Sequence, residues 1–196
     1  MLFLSCAFAA PAEVRDGDLV FHRSRSEQAR FLEAATHSPL THVGVVTVRE
    51  GAPWVLEAVE PVKLTPLREW ADRAADGKIA IRRPKVEVPP EGRARMEAVA
   101  RGWIGRHYDL AFGWSDERLY CSELVHKLFL VAGVELGTPH PLGDFDLSDP
   151  AVRKAAEARW GRIPVEELVV APVDLYLDTD LVPVCEGTVE SCLGTR

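Results

Sequence analysis

Residues 120–129, YCSELVHKLF, carry the most informative pattern in this chain. The apolar residues of this stretch recur at the spacing of an amphipathic helix, and Gly133 ends the pattern. This predicts that Cys121 begins a buried helix. A helix N-terminus carries free N–H groups and a partial positive charge, which favour a thiolate and can hold an oxyanion. A cysteine at this position is therefore either a core residue or a nucleophile.

Length and charge limit the functions that the chain can have. A chain of 196 residues is expected to form one domain, here residues 13–196. At this size it buries roughly 70% of its unfolded surface and needs no metal or disulfide to fold. The net charge of −7 argues against a nucleic-acid partner. No apolar run approaches the ~20 residues of a membrane helix, so no transmembrane segment is predicted.

The N-terminal segment, residues 1–12, resembles the second half of a signal peptide. It has a short apolar stretch followed by small residues of the Ala-x-Ala type, but it lacks a basic beginning. We interpret it as a truncated signal or as a short N-terminal arm. The expected location is the periplasm or the cell envelope, with the cytoplasm as the alternative.

The two cysteines near the C-terminus, Cys185 and Cys192, fit a local disulfide in an oxidising compartment. Two free surface thiols are the alternative. No Cys-x-x-Cys pair and no His-rich spacing is present in the sequence, which argues against a structural zinc site. The sequence predicts no metal and no cofactor.

The remaining pattern predicts an α+β domain with an antiparallel sheet. A strand over residues 41–48 and a second over residues 54–59 form a candidate hairpin. Thr65 and Pro66 resemble the cap and first-turn proline of a helix. Further helices are expected over 26–36, from Pro89 onwards and over 151–160, and strands around Val169 and Leu175 close the domain.

The hairpin predicts a partner for the cysteine. A turn centred between Arg49 and Glu50 places His42 opposite Glu57, and a turn one position later makes the two residues diagonal neighbours. In either register both side chains leave the same face of the sheet, ~5 or ~7 Å apart. A carboxylate in an apolar strand costs free energy unless it is paired, and His42 is the nearest partner for Glu57.

Each member of this set also has a structural interpretation. A strand histidine, a cysteine at a helix start and a single strand glutamate are each more often structural than catalytic. Their conjunction at compatible geometry favours a Cys–His–Glu site. Of the other histidines, His126 points to another side of its helix, and His107 lies in a loop and could line a pocket. His22, His37 and His140 lack a carboxylate neighbour on a rigid element.

Several motifs occur in an order that resembles a known family. They are GDLVF at 17–21, AATHSPLTHVG at 34–44, LEAV at 56–59, TPL at 65–67, YD at 108–109, WSDE at 114–117 and YCSELV at 120–125. Together they resemble the YiiX/YebB-type permuted papain-like hydrolases, relatives of the NlpC-type cell-wall peptidases. The His-Val-Gly and Tyr-Cys-Ser-Glu-Leu motifs are specific as a pair.

The resemblance implies a circularly permuted papain-like fold, with an antiparallel sheet packed against helices and the nucleophile at a helix N-terminus. It also implies that Cys121 is the nucleophile, His42 the base and Glu57 the residue that orients the base. Tyr108, the backbone of Asp18, and Tyr120 are candidates for oxyanion or substrate contacts.

The resemblance makes an amide hydrolase acting on cell-wall-type peptides through an acyl-enzyme the leading hypothesis. A lipid-directed acyl hydrolase or acyltransferase is the second, and a catalytically silent binding module is the third. An apolar groove beside Cys121 would favour the second. A pocket with carboxylate- or ammonium-binding groups would favour the first. The expected partner is a small peptide or acyl substrate, and the sequence leaves the oligomeric state open.

Overall fold

The structure is a computed structural model and describes residues 12–195. The signal-like segment 1–12 lies outside the described residues, apart from Ala12. The strands are β1 (Leu19–His22), β2 (His42–Arg49), β3 (Ala52–Glu57), β4 (Lys63–Pro66), β5 (Lys78–Pro84), β6 (His107–Tyr108), β7 (Arg118–Leu119), β8 (His140–Pro141), β9 (Leu168–Val169) and β10 (Leu181–Thr188). The helices are α1 (Ala29–Thr36), α2 (Leu67–Asp72), α3 (Pro90–Trp103), α4 (Cys121–Leu130), α5 (Pro150–Trp160), α6 (Pro172–Tyr176) and α7 (Val189–Leu193), with a 3₁₀ turn at Leu142–Asp144.

Six strands form one sheet in the order β10-β5-β1-β2-β3-β4, and every neighbouring pair is antiparallel. The predicted α+β class with an antiparallel sheet is confirmed. Two short pairs, β6–β7 and β8–β9, lie outside this sheet.

Apolar side chains cover both faces of the sheet. Odd-numbered residues of β1 and β2, such as Phe21 and Val43, pack against α3 and α4. Even-numbered residues, such as Val20 and Val46, pack against α2 and α7. This division follows from the two-residue period of a strand. It places the side chain of His42 on the α2 face, whereas α4 approaches from the other face and reaches His42 at the end of β2.

The β2–β3 hairpin adopts the second of the two predicted registers. Glu50 and Gly51 form the turn with φ of 52° and 77°, the left-handed conformations that match the twist of a two-residue hairpin. Val45 pairs with Leu56 and Arg49 with Ala52. Continued to the start of β2, this register makes His42 and Glu57 diagonal neighbours on one face.

Helix α4 begins at Cys121, as predicted. The backbone N–H of Tyr120, just before the helix, donates to Glu123 Oε2 at 3.2 Å, which stabilises the first turn. Helix α4 ends at Leu130, and the turn that follows it closes at Gly133, whose φ of 81° suits a residue without a side chain.

Two local predictions were wrong. Leu175 lies in helix α6 and not in a strand, because Pro172 opens that helix and Asp174 Oδ2 accepts the Ala171 N–H at 2.6 Å. Thr65 belongs to strand β4, and its hydroxyl bonds a strand neighbour instead of capping α2.

A disulfide joins Cys185 on β10 to Cys192 on α7, with a Cα–Cα distance of 5.7 Å. It holds the C-terminal helix against the edge of the sheet. Within residues 12–195, every helix is too short or too polar to cross a bilayer.

Candidate active site

Cys121, His42 and Glu57 come together at the end of β2. The Nε2 atom of His42 lies 2.7 Å from Glu57 Oε2, and the imidazole lies close enough to the Cys121 thiol for each group to shift the pKa of the other. Because Nε2 faces the carboxylate, Nδ1 is the ring nitrogen left for the thiol. All three side chains are buried, with Cys121 4% and His42 8% exposed.

Glu57 is held by three partners. Besides His42, Thr65 donates its hydroxyl to Glu57 Oε1 at 2.7 Å, and Arg73 Nη2 donates to the same oxygen at 2.5 Å. Burial favours the neutral acid, but these hydrogen bonds and the charges of His42 and Arg73 outweigh it and lower the pKa of Glu57 to about 2. Glu57 is therefore an anion at neutral pH and can stabilise a charged imidazole.

The base and the nucleophile form a coupled pair. Burial opposes the charge on His42, but hydrogen bonds with Cys121 and Glu57 and the charges of both raise the pKa of His42 to about 9. Burial likewise disfavours the thiolate, yet the hydrogen bond and charge of His42, with the Val43 N–H, lower the pKa of Cys121. Both shifts favour a thiolate–imidazolium pair, the reactive form of a cysteine nucleophile.

Two groups beside the thiol can stabilise an oxyanion. The Cys121 N–H is the first of helix α4, where backbone donors lack partners within the helix. The hydroxyl of Tyr108, on β6, lies beside Cys121, and burial together with the thiolate charge raises the pKa of Tyr108 well above its usual value. The phenol therefore stays protonated and remains a donor.

Asp18 lies away from this site, so its proposed oxyanion role is wrong. Its backbone N–H donates to the Arg15 carbonyl at 3.1 Å, and its carboxylate is paired with Arg83 at 2.7 and 2.8 Å. It precedes β1 at the end of the sheet opposite to His22 and His42. Its buried ion pair links the start of β1 to the neighbouring strand β5.

Tyr120 packs beside the active site, directly before Cys121 in the chain. Its hydroxyl accepts the Val170 N–H at 3.2 Å, and its ring packs edge-on against Phe112 at 5.1 Å. Its hydroxyl is thereby occupied, whereas its ring helps to line a pocket beside Cys121.

Two cavities flank the thiol and the imidazole. The first, called the apolar pocket, lies between α1, α5 and the start of α4 and is lined by Cys121 and Tyr108; its apolar lining includes Phe31, Phe112, Leu142, Phe145, Val152 and Trp160. Its polar lining includes Gln28 and Arg159, and the Arg159 guanidinium lies 5.2 Å from the centre of the Phe112 ring. The second, called the polar cleft after its charged and polar side chains, is lined by His42 and Tyr108 and by His22, Ser24, Arg25, Thr41, Glu60 and Arg73. Apolar residues complete its lining, namely Ala29, Leu32, Ala58, Val59 and Leu110.

The other histidines have separate surroundings. His126 bonds the Leu136 carbonyl at 2.8 Å within the core, and His107 pairs with Glu60 at 2.6 Å. His140 contacts Asp174 of α6 at 3.1 Å, so the expectation that it lacks a carboxylate neighbour on a rigid element was wrong. His37 contacts Asp146 at 3.0 Å, but Asp146 lies in a loop.

Sequence reasoning missed three residues around the base. Thr65 and Arg73 both bond Glu57, and Trp70 stacks on the His42 ring at 5.8 Å. The alternation of Lys63, Leu64 and Thr65 could have shown that Thr65 shares a face with Glu57. No sequence signal places Arg73 there, because it lies beyond the end of α2.

Within residues 12–195, no group of three or more His, Cys, Asp or Glu side chains is arranged to hold a metal ion.

A family model described as permuted papain-like amidase enzyme, YaeF/YiiX, C92 family, matches residues 13–184. The chain belongs to this family. The resemblance to the YiiX-type hydrolases and the permuted papain-like fold are thereby confirmed. This permuted papain-like amidase is accordingly a hydrolase of the cysteine peptidase and amidase type, and its general activity is amide hydrolysis.

Two relatives extend this comparison. The permuted papain-like amidase is 38% identical to uncharacterized protein YiiX of Escherichia coli strain K12 over 181 residues, which cover 90% of each chain. A crystal structure of YiiX from Escherichia coli O157:H7, described as a metalloprotein, superimposes with a TM-score of 0.83 at 38% identity. It covers 89% of this chain and 98% of that one.

Proposed function

We propose that this chain hydrolyses amides through a Cys121–His42–Glu57 triad and a covalent acyl-enzyme. The observation that carries the proposal is the position of the His42 imidazole, which bonds Glu57 through Nε2 and lies beside the Cys121 thiol, whose pKa it lowers. A nucleophile, a base and a group that orients the base are the parts that such a mechanism needs.

In this mechanism the Cys121 thiolate attacks the amide carbonyl carbon. The tetrahedral oxyanion accepts hydrogen bonds from the Cys121 N–H and from the Tyr108 hydroxyl, and one such donor is typically worth ~3 kcal/mol. The His42 imidazolium then protonates the leaving amine, and Glu57 stabilises the positive charge until that transfer. Water, deprotonated by His42, cleaves the thioester.

The lining of the apolar pocket supports an apolar acyl group as the part of the substrate that stays on Cys121. Cell-wall-type peptides, which the sequence placed first, carry carboxylates and amines, and such groups would lose hydration in this pocket. We therefore place the lipid-directed acyl hydrolase beside the peptide amidase as the second candidate. The pocket opens directly onto the thiol, and apolar ligands bind in such concave apolar sites.

Two further points bear on the remaining hypotheses. A catalytically silent binding module needs no paired imidazole beneath its cysteine, so the buried His42–Glu57 pair speaks against it. Export to an oxidising compartment is supported by the disulfide between Cys185 and Cys192.

The test is the alkylation rate of Cys121 by iodoacetamide across pH, in the wild type and in His42→Ala. Cys121 is the free cysteine among the described residues. We expect fast labelling well below the ordinary thiol pKa of ~8.5, and loss of this behaviour in the variant. The wild type, His42→Ala and a third protein, Cys121→Ser, are then assayed for hydrolysis of amides of acetate, octanoate and a short peptide. An ordinary thiol profile, or full turnover by Cys121→Ser, contradicts the triad.

A further inference from the structure

The two cavities are placed to receive opposite ends of an amide substrate. The apolar pocket is lined by Cys121 and the polar cleft by His42, and Tyr108 lines both. The acyl group becomes attached to Cys121, so it occupies the apolar pocket. The leaving amine takes its proton from His42 and must lie within hydrogen-bonding reach of that ring. The polar cleft is therefore the side through which the amine leaves.

The lining of the polar cleft is rich in cations. Arg25 and Arg73 contribute guanidinium groups, and His42 is an imidazolium when it is paired with the thiolate. Arg25 donates Nη2 to the Ala74 carbonyl at 3.0 Å, and no carboxylate within residues 12–195 pairs with it. Arg73 uses Nη2 for Glu57, and its Nε atom has no partner among the described residues. Both guanidinium groups thus retain donors.

The single carboxylate that lines the polar cleft, within the described part of the chain, is already engaged. Glu60 Oε1 lies 2.6 Å from His107 Nδ1, and Glu60 Oε2 accepts the Tyr108 N–H at 2.9 Å. An ammonium group in the cleft would find this acid occupied and two guanidinium groups nearby. An anion would find donors and positive charge.

His22 adds an unsatisfied polar group to the same cleft. It is 3% exposed and lies opposite His42 in the β1–β2 register, with the two ring centres 5.2 Å apart. Neither ring nitrogen makes a well-formed hydrogen bond within the described residues, although a backbone group of Arg23 lies beside the ring. A buried polar group without a partner is unfavourable, and an apolar side chain would avoid that cost. A polar ligand in the cleft would supply the missing partner.

We propose that the polar cleft is a subsite for a leaving amine that carries a carboxylate, as an amino acid released from an N-acyl amino acid does. The proposal rests on the proposed amide hydrolysis. In the reaction the Cys121 sulfur bonds to the acyl carbon, the carbon–nitrogen bond breaks, and the amine nitrogen takes a proton from His42. Water then converts the thioester to a carboxylic acid and restores the thiol, with no change in oxidation state. Arg25 and Arg73 hold the carboxylate, and His22 hydrogen-bonds the same group.

The test compares two substrates that share one acyl group, N-octanoylglycine and N-octanoylglycinamide. We expect kcat/KM to be larger for the carboxylate by about ten-fold or more, the effect of one charge-assisted hydrogen bond. Arg25→Gln should reduce this ratio towards one. Arg49→Gln, an exposed arginine at the opposite end of β2, serves as the matched control and should keep the ratio. Equal rates, or a preference for the amide, overturn the subsite while leaving the triad standing.

A binding measurement separates the two proposals. Cys121→Ala, which cannot form the thioester, is titrated with the same two compounds by calorimetry. Tighter binding of N-octanoylglycine supports the subsite even if the wild type hydrolyses neither compound, in which case the proposed hydrolysis has failed instead. Equal affinities, or no binding of either compound, overturn the subsite.

Discussion

Glu57 reaches His42 diagonally across the β2–β3 hairpin, with 2.7 Å between Glu57 Oε2 and His42 Nε2. The position on β2 beside Glu57 is Gly44, which has no side chain to occupy the space between the strands. A Cβ atom at Gly44 would meet the side chain of Val55, and it would lie 2.9 Å from the Leu56 carbonyl oxygen. The glycine therefore permits the close approach on which the carboxylate–imidazole contact depends.

Gly44→Ala should misplace β3 and weaken both stability and activity. Because the added methyl group meets backbone as well as a side chain, we expect a loss of about 1–3 kcal/mol in the free energy of unfolding. The shift of β3 should also move Glu57, so kcat/KM should fall. Gly102→Ala is the control, because no atom lies within 4 Å of its added Cβ and it sits in helix α3. That variant should be as stable as the wild type or up to ~1 kcal/mol more stable. Urea unfolding of both variants checks the prediction.

Glu57→Gln should leave a slow enzyme. The neutral amide can still bond Thr65 and His42, but it cannot stabilise the imidazolium, so kcat should fall by roughly 10²-fold. Glu91→Gln, an exposed position on α3, should have wild-type kcat. A kcat of Glu57→Gln within about two-fold of the wild-type value, far less than this expected loss, would show that Glu57 does not act through His42.

The same variant should alter the response of stability to acid. The pKa of Glu57 is lowered from 4.5 to about 2, so its stabilising effect is complete above pH 4.5 and is lost as the pH falls through about 2. The shift corresponds to a contribution on the order of 3 kcal/mol. Glu57→Gln should therefore lose less stability than the wild type between pH 5 and 2. Denaturant unfolding at a series of pH values measures this difference.

Tyr108→Phe should reduce kcat with little change in KM. Removal of one oxyanion donor typically costs about 10²–10³-fold in kcat, whereas the ring that lines both cavities is kept. Tyr176→Phe is the matched control, since its hydroxyl bonds Glu186 at 2.6 Å on strand β10 at the edge of the sheet. An unchanged kcat in Tyr108→Phe would show that the Tyr108 hydroxyl does not stabilise the oxyanion, and the Cys121 N–H would then be the donor that remains.

Alkylation and hydrolysis should respond differently to alkaline pH. Above pH about 9 the imidazole of His42 loses its proton, so the leaving amine has no acid and kcat/KM should fall. Iodoacetamide needs only the thiolate, and its rate should persist there. On the acid side both rates should fall together as Cys121 takes up a proton. Parallel profiles on the alkaline side would contradict a role of His42 as the acid.

Removal of the disulfide by Cys185→Ser with Cys192→Ala should lower stability without changing catalysis. Closing this short loop is worth about 2–3 kcal/mol in the chain-entropy model, and the buried Cys192 also belongs to the apolar cluster that contains Ile79 and Val189. The disulfide joins the edge strand β10 to helix α7, away from Cys121. Thermal unfolding with and without a reductant measures the loss, and an equal fall in kcat/KM would show a link to the site.

The sequence could predict this site because its main parts are local patterns. Helical spacing after Cys121 placed the thiol at a helix start, and strand alternation put His42 and Glu57 on one face. Residues held by tertiary structure escaped prediction: Arg73 reaches Glu57 only because α2 folds over the sheet. Asp18 was misassigned for the same reason, since its ion pair with Arg83 joins positions on strands far apart in sequence.

The base and its carboxylate belong to one continuous hairpin, whereas the thiol follows about 60 residues later on a separate helix. Contacts between neighbours in sequence close with a smaller loss of chain entropy than distant ones. In a chain made from its N-terminus, the imidazole can therefore be oriented before the cysteine has been added. The reactive sulfur then acquires its activating partner only in the step that docks α4, so a partly folded chain carries an ordinary thiol.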